Sequence, residues 1–183
     1  PEMVKPIAQM EQRLSGKTYM YIPKGDIKNT RLLRSVIHDG DIIAIITKKK
    51  GLDTSHIGIA VWHKDGLHML NASQIHKKVV DIPYVAKTLE VNPKESLVVN
   101  LRQLDCTTYV ENVLAVYECV KNNRTSYADY LYFLRMIRYV GGTVSYPTRQ
   151  HYFTEWIEEN TKKGFVREVN TPNPPFNTRQ TLR

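Results

Sequence analysis

The sequence has few cysteines and lacks any long apolar segment, and both shortages narrow the classes of protein that it can encode. Its two cysteines, Cys106 and Cys119, lie 13 residues apart within one predicted helix. That spacing separates them by about 20 Å and excludes a disulfide between them. No Cys/His grouping has zinc-ligand spacing, so we expect no metal site. The apolar runs, such as residues 41–47, fall short of the roughly 20 residues that cross a bilayer, so we expect no transmembrane segment.

Acidic residues are outnumbered, since 18 Asp and Glu stand against 26 Lys and Arg and leave a net charge of +8. A basic surface favours anionic partners such as nucleic acid, acidic lipid or an anionic cell-wall polymer. The basic residues are nevertheless spread along the chain, with 48–50 as the only run, and no nucleic-acid-binding motif is present. We therefore expect no nucleic-acid partner.

The length of 183 residues, 42% of them apolar, suits one compact domain. We predict that this domain covers residues 1–170 and that the proline-rich residues 171–183 form an extended or loosely attached tail. Alternating and β-branched runs separated by turns predict an antiparallel sheet that packs against helices, an α+β fold. The predicted strands are 42–47, 56–62, 68–72, 74–80, 97–100 and 165–169, and the predicted helices are 2–14, 32–37, 106–119, 126–139 and 151–160.

Cys106 stands at the predicted start of a helix, with Asp105 at the N-cap position. The N-terminus of a helix carries the positive end of its dipole and free N–H groups, which favour a thiolate and can bind an oxyanion. A buried cysteine that only packs is the alternative for Cys106. It is also the favoured interpretation for Cys119, which lies in the helix interior. We interpret Cys106 as the candidate nucleophile.

A thiolate nucleophile needs an imidazole that takes its proton and later returns it to the leaving amine. Of the six histidines, His56 opens a predicted strand in which Gly58 leaves room for a close approach by another element. His56 is therefore the candidate base, and His68 and His151 are reserve candidates.

A third polar group must orient the imidazole by accepting a hydrogen bond from its far nitrogen. Asn71 lies on the next predicted strand, and a hairpin that turns at residues 65–66 brings it beside His56. The alternative for Asn71 is a polar residue that only satisfies loop backbone at the end of its strand.

Three motifs resemble those of the NlpC-type papain-like cell-wall hydrolases, most closely their N-acetylmuramoyl-L-alanine amidase branch. Residues 83–86 (Pro-Tyr-Val-Ala) resemble the Pro-Tyr element of that family, and residues 104–111 (Leu-Asp-Cys-Thr-Thr-Tyr-Val-Glu) resemble its nucleophile motif. Residues 55–59 (Ser-His-Ile-Gly-Ile) with 70–73 (Leu-Asn-Ala-Ser) are similar to the strands that carry its histidine and third polar residue. Residues 139–156 are also similar to the amidase branch, and the resemblance covers most of residues 17–170.

The resemblance implies a role for each matching residue. Cys106 would be the nucleophile, His56 the base and Asn71 the orienting group. Tyr84 and the Cys106 backbone N–H would polarise the scissile carbonyl, and Asp105 would help to anchor the substrate or the loop. The implied enzyme hydrolyses the amide between N-acetylmuramic acid and L-Ala in peptidoglycan without a metal or organic cofactor. The implied location is the cell envelope, periplasmic or secreted, and we expect a monomer that binds muropeptides.

The order of the motifs departs from the family pattern, in which the Pro-Tyr and cysteine motifs precede the histidine motif. Here His56 precedes Cys106, so the chain resembles a circularly permuted member with its junction near residues 80–83. Because a triad depends on geometry rather than chain order, permutation does not by itself remove the chemistry. Three other functions stay open: a γ-D-glutamyl endopeptidase, a permuted lipid-type acyltransferase and a non-catalytic wall-binding module.

Overall fold

The chain folds into helices and antiparallel sheets, as the sequence predicts. The computed structural model describes residues 4–28, 30–49, 51–72, 78–79, 82–169, 175–176 and 178–181. The α-helices in these ranges are α1 (Val4–Leu14), α2 (Thr30–Arg34), α3 (Cys106–Lys121), α4 (Tyr127–Arg138) and α5 (Phe153–Lys162). The strands are β1 (Thr18–Tyr21), β2 (Ile42–Ile46), β3 (Thr54–His63), β4 (Gly66–Leu70), β5 (Lys78–Val79), β6 (Ile82–Pro83) and β7 (Thr178–Thr181). No helix in the described part of the chain is long and apolar enough to cross a membrane.

The largest described sheet is the antiparallel meander β2-β3-β4, with β3 in the centre. Its register pairs Ile59 with Ile42 of β2 and with Leu70 of β4. The predicted meander over residues 42–72 is therefore confirmed. One irregularity interrupts the pairing of β2 with β3. Ile45 pairs with His56 but Ile46 pairs with Thr54, so Ser55 is an extra residue in β3. This arrangement is a β-bulge immediately before His56.

The end of the predicted tail belongs to the fold. Strand β7 pairs antiparallel with β1, and Thr181 lies opposite Thr18. Residues 178–181 of the predicted tail are extended, and they are attached to the fold because their backbone N–H and C=O groups pair with a strand. Residues 171–174 of the predicted tail lie outside the described residues.

The core lies between β3 and the helices α3, α4 and α5. On α3, Val110 and Leu114 are one turn apart and face the sheet, where they meet Ile57. Leu134 of α4 and Trp156 of α5 complete the same cluster and are at most 1% exposed. Burial of one such apolar side chain stabilises the fold by about 1.5–3 kcal/mol. This core fixes the helix that carries Cys106 against the strand that carries His56.

A buried ion pair joins α3 to α4 and explains why one predicted strand is absent. Arg138 Nε lies 2.7 Å from Glu111 Oε2, and both side chains are at most 3% exposed. The same guanidinium donates to the Val98 carbonyl at 2.6 Å, and the Tyr139 hydroxyl donates to the Ser96 carbonyl at 3.1 Å. Residues 97–100 were expected to form a strand, but they form none. In this segment a side chain of α4, rather than a neighbouring strand, binds the Val98 carbonyl.

Two further predicted strands have different outcomes. Residues 165–169 form no strand, because the N–H groups of Phe165 and Val166 donate to the Asn160 carbonyl and close the end of α5. Most of the predicted strand 74–80 lies outside the described residues. Its described part, β5, pairs with β6.

Candidate active site

Cys106 is the first residue of α3, and the start of this helix is firmly capped. Asp105 occupies the N-cap position, where its Oδ1 accepts the Thr108 N–H at 2.8 Å. In return, the Thr108 hydroxyl oxygen accepts the Asp105 N–H at 2.9 Å. This reciprocal arrangement is a capping box, which fixes the first turn of a helix. The predicted cap is confirmed, and it holds Cys106 at the positive end of a 16-residue helix.

The Pro-Tyr segment lies directly beside the nucleophile motif. Tyr84 forms a parallel bridge with Leu104, in which Leu104 N–H donates to the Pro83 carbonyl at 3.2 Å and Val85 N–H donates to the Leu104 carbonyl at 3.1 Å. Because Leu104 precedes Cys106 by two residues, the bridge brings Tyr84 close to the thiol. Both side chains pack against Leu104.

The thiol of Cys106 also reaches β3, at the residue that follows His56. The Ile57 backbone lies close enough to the thiol to lower its pKa, and Cys106 packs against the cluster of Leu104 and Ala72, the latter just after the end of β4. Backbone N–H groups of a strand lie in the plane of the sheet. Strand β4 pairs with β3 only as far as Ile59, so the β4 side of Ile57 is open. The thiol therefore lies beside β3 at Ile57.

His56 and Asn71 share one face of the sheet. A Cβ atom added at Gly58 would lie 2.9 Å from the Asn71 Cβ and 2.6 Å from the Met69 Cγ. Side chains two residues apart on a strand share a face, so His56 lies on the same side as Asn71. The expected close approach at Gly58 is thus made by β4 and the residue after it, rather than by a helix. Among the described residues, no hydrogen bond joins the His56 ring to Asn71 or to the Cys106 thiol.

The thiol is held in its protonated form. Burial raises the pKa of Cys106 above its ordinary value, and the nearby Asp105 carboxylate raises it further. Hydrogen bonds from the Ile57 backbone and from the hydroxyl and backbone of Thr107 act in the opposite direction. The start of α3 was expected to favour a thiolate, whereas burial is the largest influence on the pKa of this thiol and raises it. Attack by this sulfur therefore requires a base.

Tyr84 is held as a neutral hydrogen-bond donor. Its pKa is raised by burial, by Cys106 and by Asp105, in that order. The same causes indicate that its hydroxyl lies near both side chains. A neutral phenol beside a cysteine can donate to an oxyanion, which is the role that the family resemblance implies for Tyr84.

The two reserve histidines are engaged elsewhere. His68 lies in β4 with an exposed side chain, and its Nε2 is 2.9 Å from Asp65 Oδ1. His151 Nε2 is 2.8 Å from the Tyr146 carbonyl, and its ring packs against that of Tyr146 with centroids 4.4 Å apart. His56, on the strand that meets the thiol, remains the candidate base.

Cys119 packs in the core, as expected of a mid-helix cysteine. It is 7% exposed and belongs to the same cluster as Ile57, and it is a free thiol like Cys106. Among the described residues, no group of three or more His, Cys, Asp and Glu side chains could hold a metal ion.

Sequence reasoning missed one residue near the site. Asp53 precedes β3, three residues before His56, and it is 7% exposed. In the sequence, the only sign of Asp53 was an acidic residue in the short loop directly before the strand of His56. Its burial is unusual, because carboxylates are mostly exposed.

Solved structures of other proteins are similar to part of this chain. A proposed xylanase from Bacteroides fragilis is 38% identical over 49% of this chain and 39% of its own, with a TM-score of 0.46. An N-acetylmuramoyl-L-alanine amidase from Bacteroides uniformis is 41% identical over 46% of this chain and 35% of its own, with a TM-score of 0.42. The match thus spans about two fifths or less of these structures. No curated protein matches the chain.

A family profile matches almost the whole sequence. The profile is described as AmiA-like, N-acetylmuramoyl-L-alanine amidase-like, and it matches in two stretches, residues 1–83 and 80–181. Together these stretches contain every candidate site residue, from His56 and Asn71 in the first to Tyr84, Asp105 and Cys106 in the second. The chain belongs to the AmiA-like family of N-acetylmuramoyl-L-alanine amidase-like proteins.

Proposed function

We propose that the protein is a peptidoglycan hydrolase that cleaves the amide between N-acetylmuramic acid and L-Ala with a cysteine nucleophile. The observation that carries this proposal is the position of Cys106 at the capped start of α3, beside both Tyr84 and the strand that bears His56. Membership of an amidase-like family supports an amide as the substrate. An extracytoplasmic location, in the cell envelope or outside the cell, follows from that substrate.

In the proposed reaction, His56 accepts the proton of the Cys106 thiol, and the sulfur attacks the lactyl carbonyl. The oxyanion accepts hydrogen bonds from the Cys106 N–H and the Tyr84 hydroxyl. Collapse of this intermediate breaks the C–N bond, and His56 returns the proton to the leaving amine of L-Ala. Water, deprotonated by His56, then hydrolyses the thioester and releases the lactyl carboxylate. Asn71 orients the imidazole from the face that the two residues share.

The raised pKa of the thiol supports a base-assisted attack rather than a preformed thiolate–imidazolium pair. Proton transfer needs the His56 ring within hydrogen-bond distance of the sulfur. Catalytic hydrogen bonds are often long or absent before a substrate binds and shorten in the complex. In this proposal Asp105 anchors the loop, because its carboxylate already accepts two hydrogen bonds from Thr108. A direct contact between Asp105 and substrate stays a prediction.

We also propose that the fold is the papain-like fold of NlpC-type enzymes in circularly permuted order. The order of His56 before Cys106 supports this, as does a family match in two stretches that meet at residues 80–83. The proposed junction includes the short hairpin of β5 and β6. An uninterrupted papain-like catalytic domain over residues 1–170 is part of the same proposal.

The function is tested by digestion of purified peptidoglycan followed by mass spectrometry of the products. We expect free lactyl carboxylate and intact stem peptide from the wild type. Cys106→Ala should release neither, whereas Cys119→Ala, the matched control, should retain activity. A cut after D-Glu would identify a γ-D-glutamyl endopeptidase, and binding without any product would identify a wall-binding module. Acyl transfer to a lipid amine or alcohol instead of hydrolysis would identify an acyltransferase.

A further inference from the structure

We propose that Asp53 is a positioning residue for His56: its buried carboxylate fastens the start of β3 to the start of α5 and thereby sets the direction of the imidazole. This inference rests on the proposed function, in which His56 is the base. Asp53 touches neither the thiol nor the ring, so it acts through the backbone that carries His56.

The Asp53 carboxylate binds the first N–H group of the adjoining strand, β3, and an N–H group of a distant helix, α5. Its Oδ1 accepts the Thr54 N–H at 2.6 Å, and its Oδ2 accepts the Thr154 N–H at 2.6 Å. The Asp53 carbonyl also accepts the Thr47 N–H at 3.3 Å and closes the loop between β2 and β3. The carboxylate thus joins segments that are 101 residues apart in sequence.

The partner element is a rigid anchor. Helix α5 lacks a cap of its own, because the N-cap residue Tyr152 makes no side-chain hydrogen bond to the helix. Asp53 satisfies an orphan N–H of the first turn in its place, and its negative charge suits the positive end of the helix dipole. Phe153 and Trp156 of the same first turns stack at 4.8 Å within the core. The start of α5 therefore cannot follow a movement of β3 without breaking this packing.

The segment between Asp53 and Ile57 is fixed at both ends. Asp53 attaches one end to α5, and Ile57, which is 2% exposed, packs the other end into the core. Between them, the extra residue Ser55 forms the β-bulge, and its hydroxyl donates to the Ile45 carbonyl at 3.2 Å. Bulges redirect side chains and are common beside active sites. His56 follows directly, so its orientation depends on how the bulge is held.

Helix capping alone does not require a buried charge. Ser, Thr and Asn cap helices as well as Asp does, and burial of a carboxylate is costly unless it is fully hydrogen-bonded. Only a carboxylate offers two equivalent acceptor oxygens that can bind two different segments, whereas Asn has one acceptor and a donor. This property of Asp53 matches the joining of β3 to α5 rather than the capping of α5 alone.

The test compares Asp53→Ala and Asp53→Asn with Glu155→Gln, all in the full chain. Asn retains the shape of Asp and one acceptor oxygen, so Asp53→Asn is expected to fold even if Asp53→Ala does not. Glu155 lies in the same first turn of α5, is 6% exposed and pairs with Arg13 at 2.9 Å, away from β3. Glu155→Gln is therefore the control: it weakens the attachment of α5 but does not alter a contact of β3.

We expect kcat on muropeptides to fall about 10- to 100-fold in Asp53→Ala, with KM changed less than about twofold, since small displacements of a catalytic group cost this much. Asp53→Asn should show a smaller loss of kcat. The NMR signals of the His56 ring, assigned by their absence in His56→Ala, should shift in both Asp53 variants. In Glu155→Gln, kcat and the His56 signals should match the wild type.

Unchanged kcat and unchanged His56 signals in the folded Asp53 variants would overturn the proposal. An equal loss of kcat in Glu155→Gln would overturn it too, because the loss would then report only the attachment of α5. Failure of the proposed function is separate: it would appear as activity retained in Cys106→Ala, or as an inactive wild type. The ring signals of His56 test the role of Asp53 in either case.

Discussion

At the residue scale, the Cys106 thiol is subject to two opposing influences. Burial and the Asp105 carboxylate favour the neutral thiol, while hydrogen bonds from Ile57 and Thr107 favour the thiolate. The first influence prevails, and it keeps the sulfur protonated until a base removes the proton. Asp105 thus has two effects, since it stabilises the helix start and suppresses the reactivity of the residue that follows.

The first prediction separates these effects with Asp105→Asn. Asn is as good an N-cap as Asp, so the helix start should be retained. Loss of the negative charge stabilises the thiolate, so the pKa of Cys106 should fall. The pH midpoint of Cys106 alkylation by iodoacetamide, followed by peptide mass spectrometry, should move to lower pH. Asp129→Asn, the matched control in the capping box of α4, should leave the midpoint in place; an unchanged or higher midpoint in Asp105→Asn would contradict the argument.

The second prediction concerns Tyr84→Phe, which removes the hydroxyl and keeps the ring that packs against Leu104. If the hydroxyl binds the oxyanion, kcat should fall by about 10²- to 10³-fold, with little loss of thermal stability. Tyr109→Phe is the control, because Tyr109 packs against the same cluster as Cys106 and has no role in the proposed reaction. Steady-state kinetics on muropeptides measures both variants. Equal kcat in Tyr84→Phe and the wild type would remove Tyr84 from the mechanism.

At the element scale, the packing of α3 against α4 depends on the buried pair of Glu111 and Arg138. Burial raises the pKa of Glu111, and the Arg138 guanidinium opposes that rise. Arg138 also holds the Val98 carbonyl, so one side chain connects two helices to the loop that leads to Cys106.

The third prediction is that Arg138→Met destabilises the fold by about 3–5 kcal/mol, because it leaves the Glu111 carboxyl buried without its partner. The free energy of unfolding in urea measures this change. Lys162→Ala removes the exposed pair with Glu159 and should cost no more than about 1 kcal/mol. Similar losses in the two variants would contradict a structural role for the buried pair.

At the scale of the whole molecule, contacts between distant parts of the chain close the fold. Strand β1 pairs with β7, Asp53 binds the start of α5 and Gln180 donates to the Thr47 carbonyl at 2.9 Å. Each contact joins the part that holds His56 to the part that holds Cys106. A permuted order requires contacts of this kind, because the two parts are connected only through residues 80–83.

The fourth prediction tests the permuted order with a rearranged chain. Thr181 lies opposite Thr18, so a tight hairpin of two to five residues can connect them. A chain that runs 82–181, then the hairpin, then 18–79 should fold and retain activity that depends on Cys106. Circular dichroism and peptidoglycan digestion measure the outcome. Because the rearranged chain omits α1, residues 18–181 in their natural order are the matched control, and a rearranged chain that does not fold while this control does would contradict the permuted interpretation.

The sequence predicted the parts of the fold that carry strong local signals. The helix that starts at Cys106, its cap Asp105 and the meander over residues 42–72 are confirmed because periodicity and capping are local properties. The strands expected at 97–100 and 165–169 are absent, and in their place a distant side chain binds the Val98 carbonyl and the end of α5 binds the first two N–H groups of 165–169. Strand β1 was missed because its pairing with β7 joins opposite ends of the chain, which local patterns do not reveal. Asp53 was missed for the same reason.

The distance between the Cys106 Sγ and the nearer ring nitrogen of His56 tests the central claim most directly. It should be measured in a crystal structure with an uncleaved stem-peptide analogue bound. We predict about 3 to 4 Å, with Asn71 behind the imidazole, since proton transfer requires hydrogen-bond distance. If His68 or His151 occupies that position, the thiol mechanism stands and the base is misassigned. A separation above about 8 Å, beyond what a rotamer change can close, would contradict the proposed mechanism.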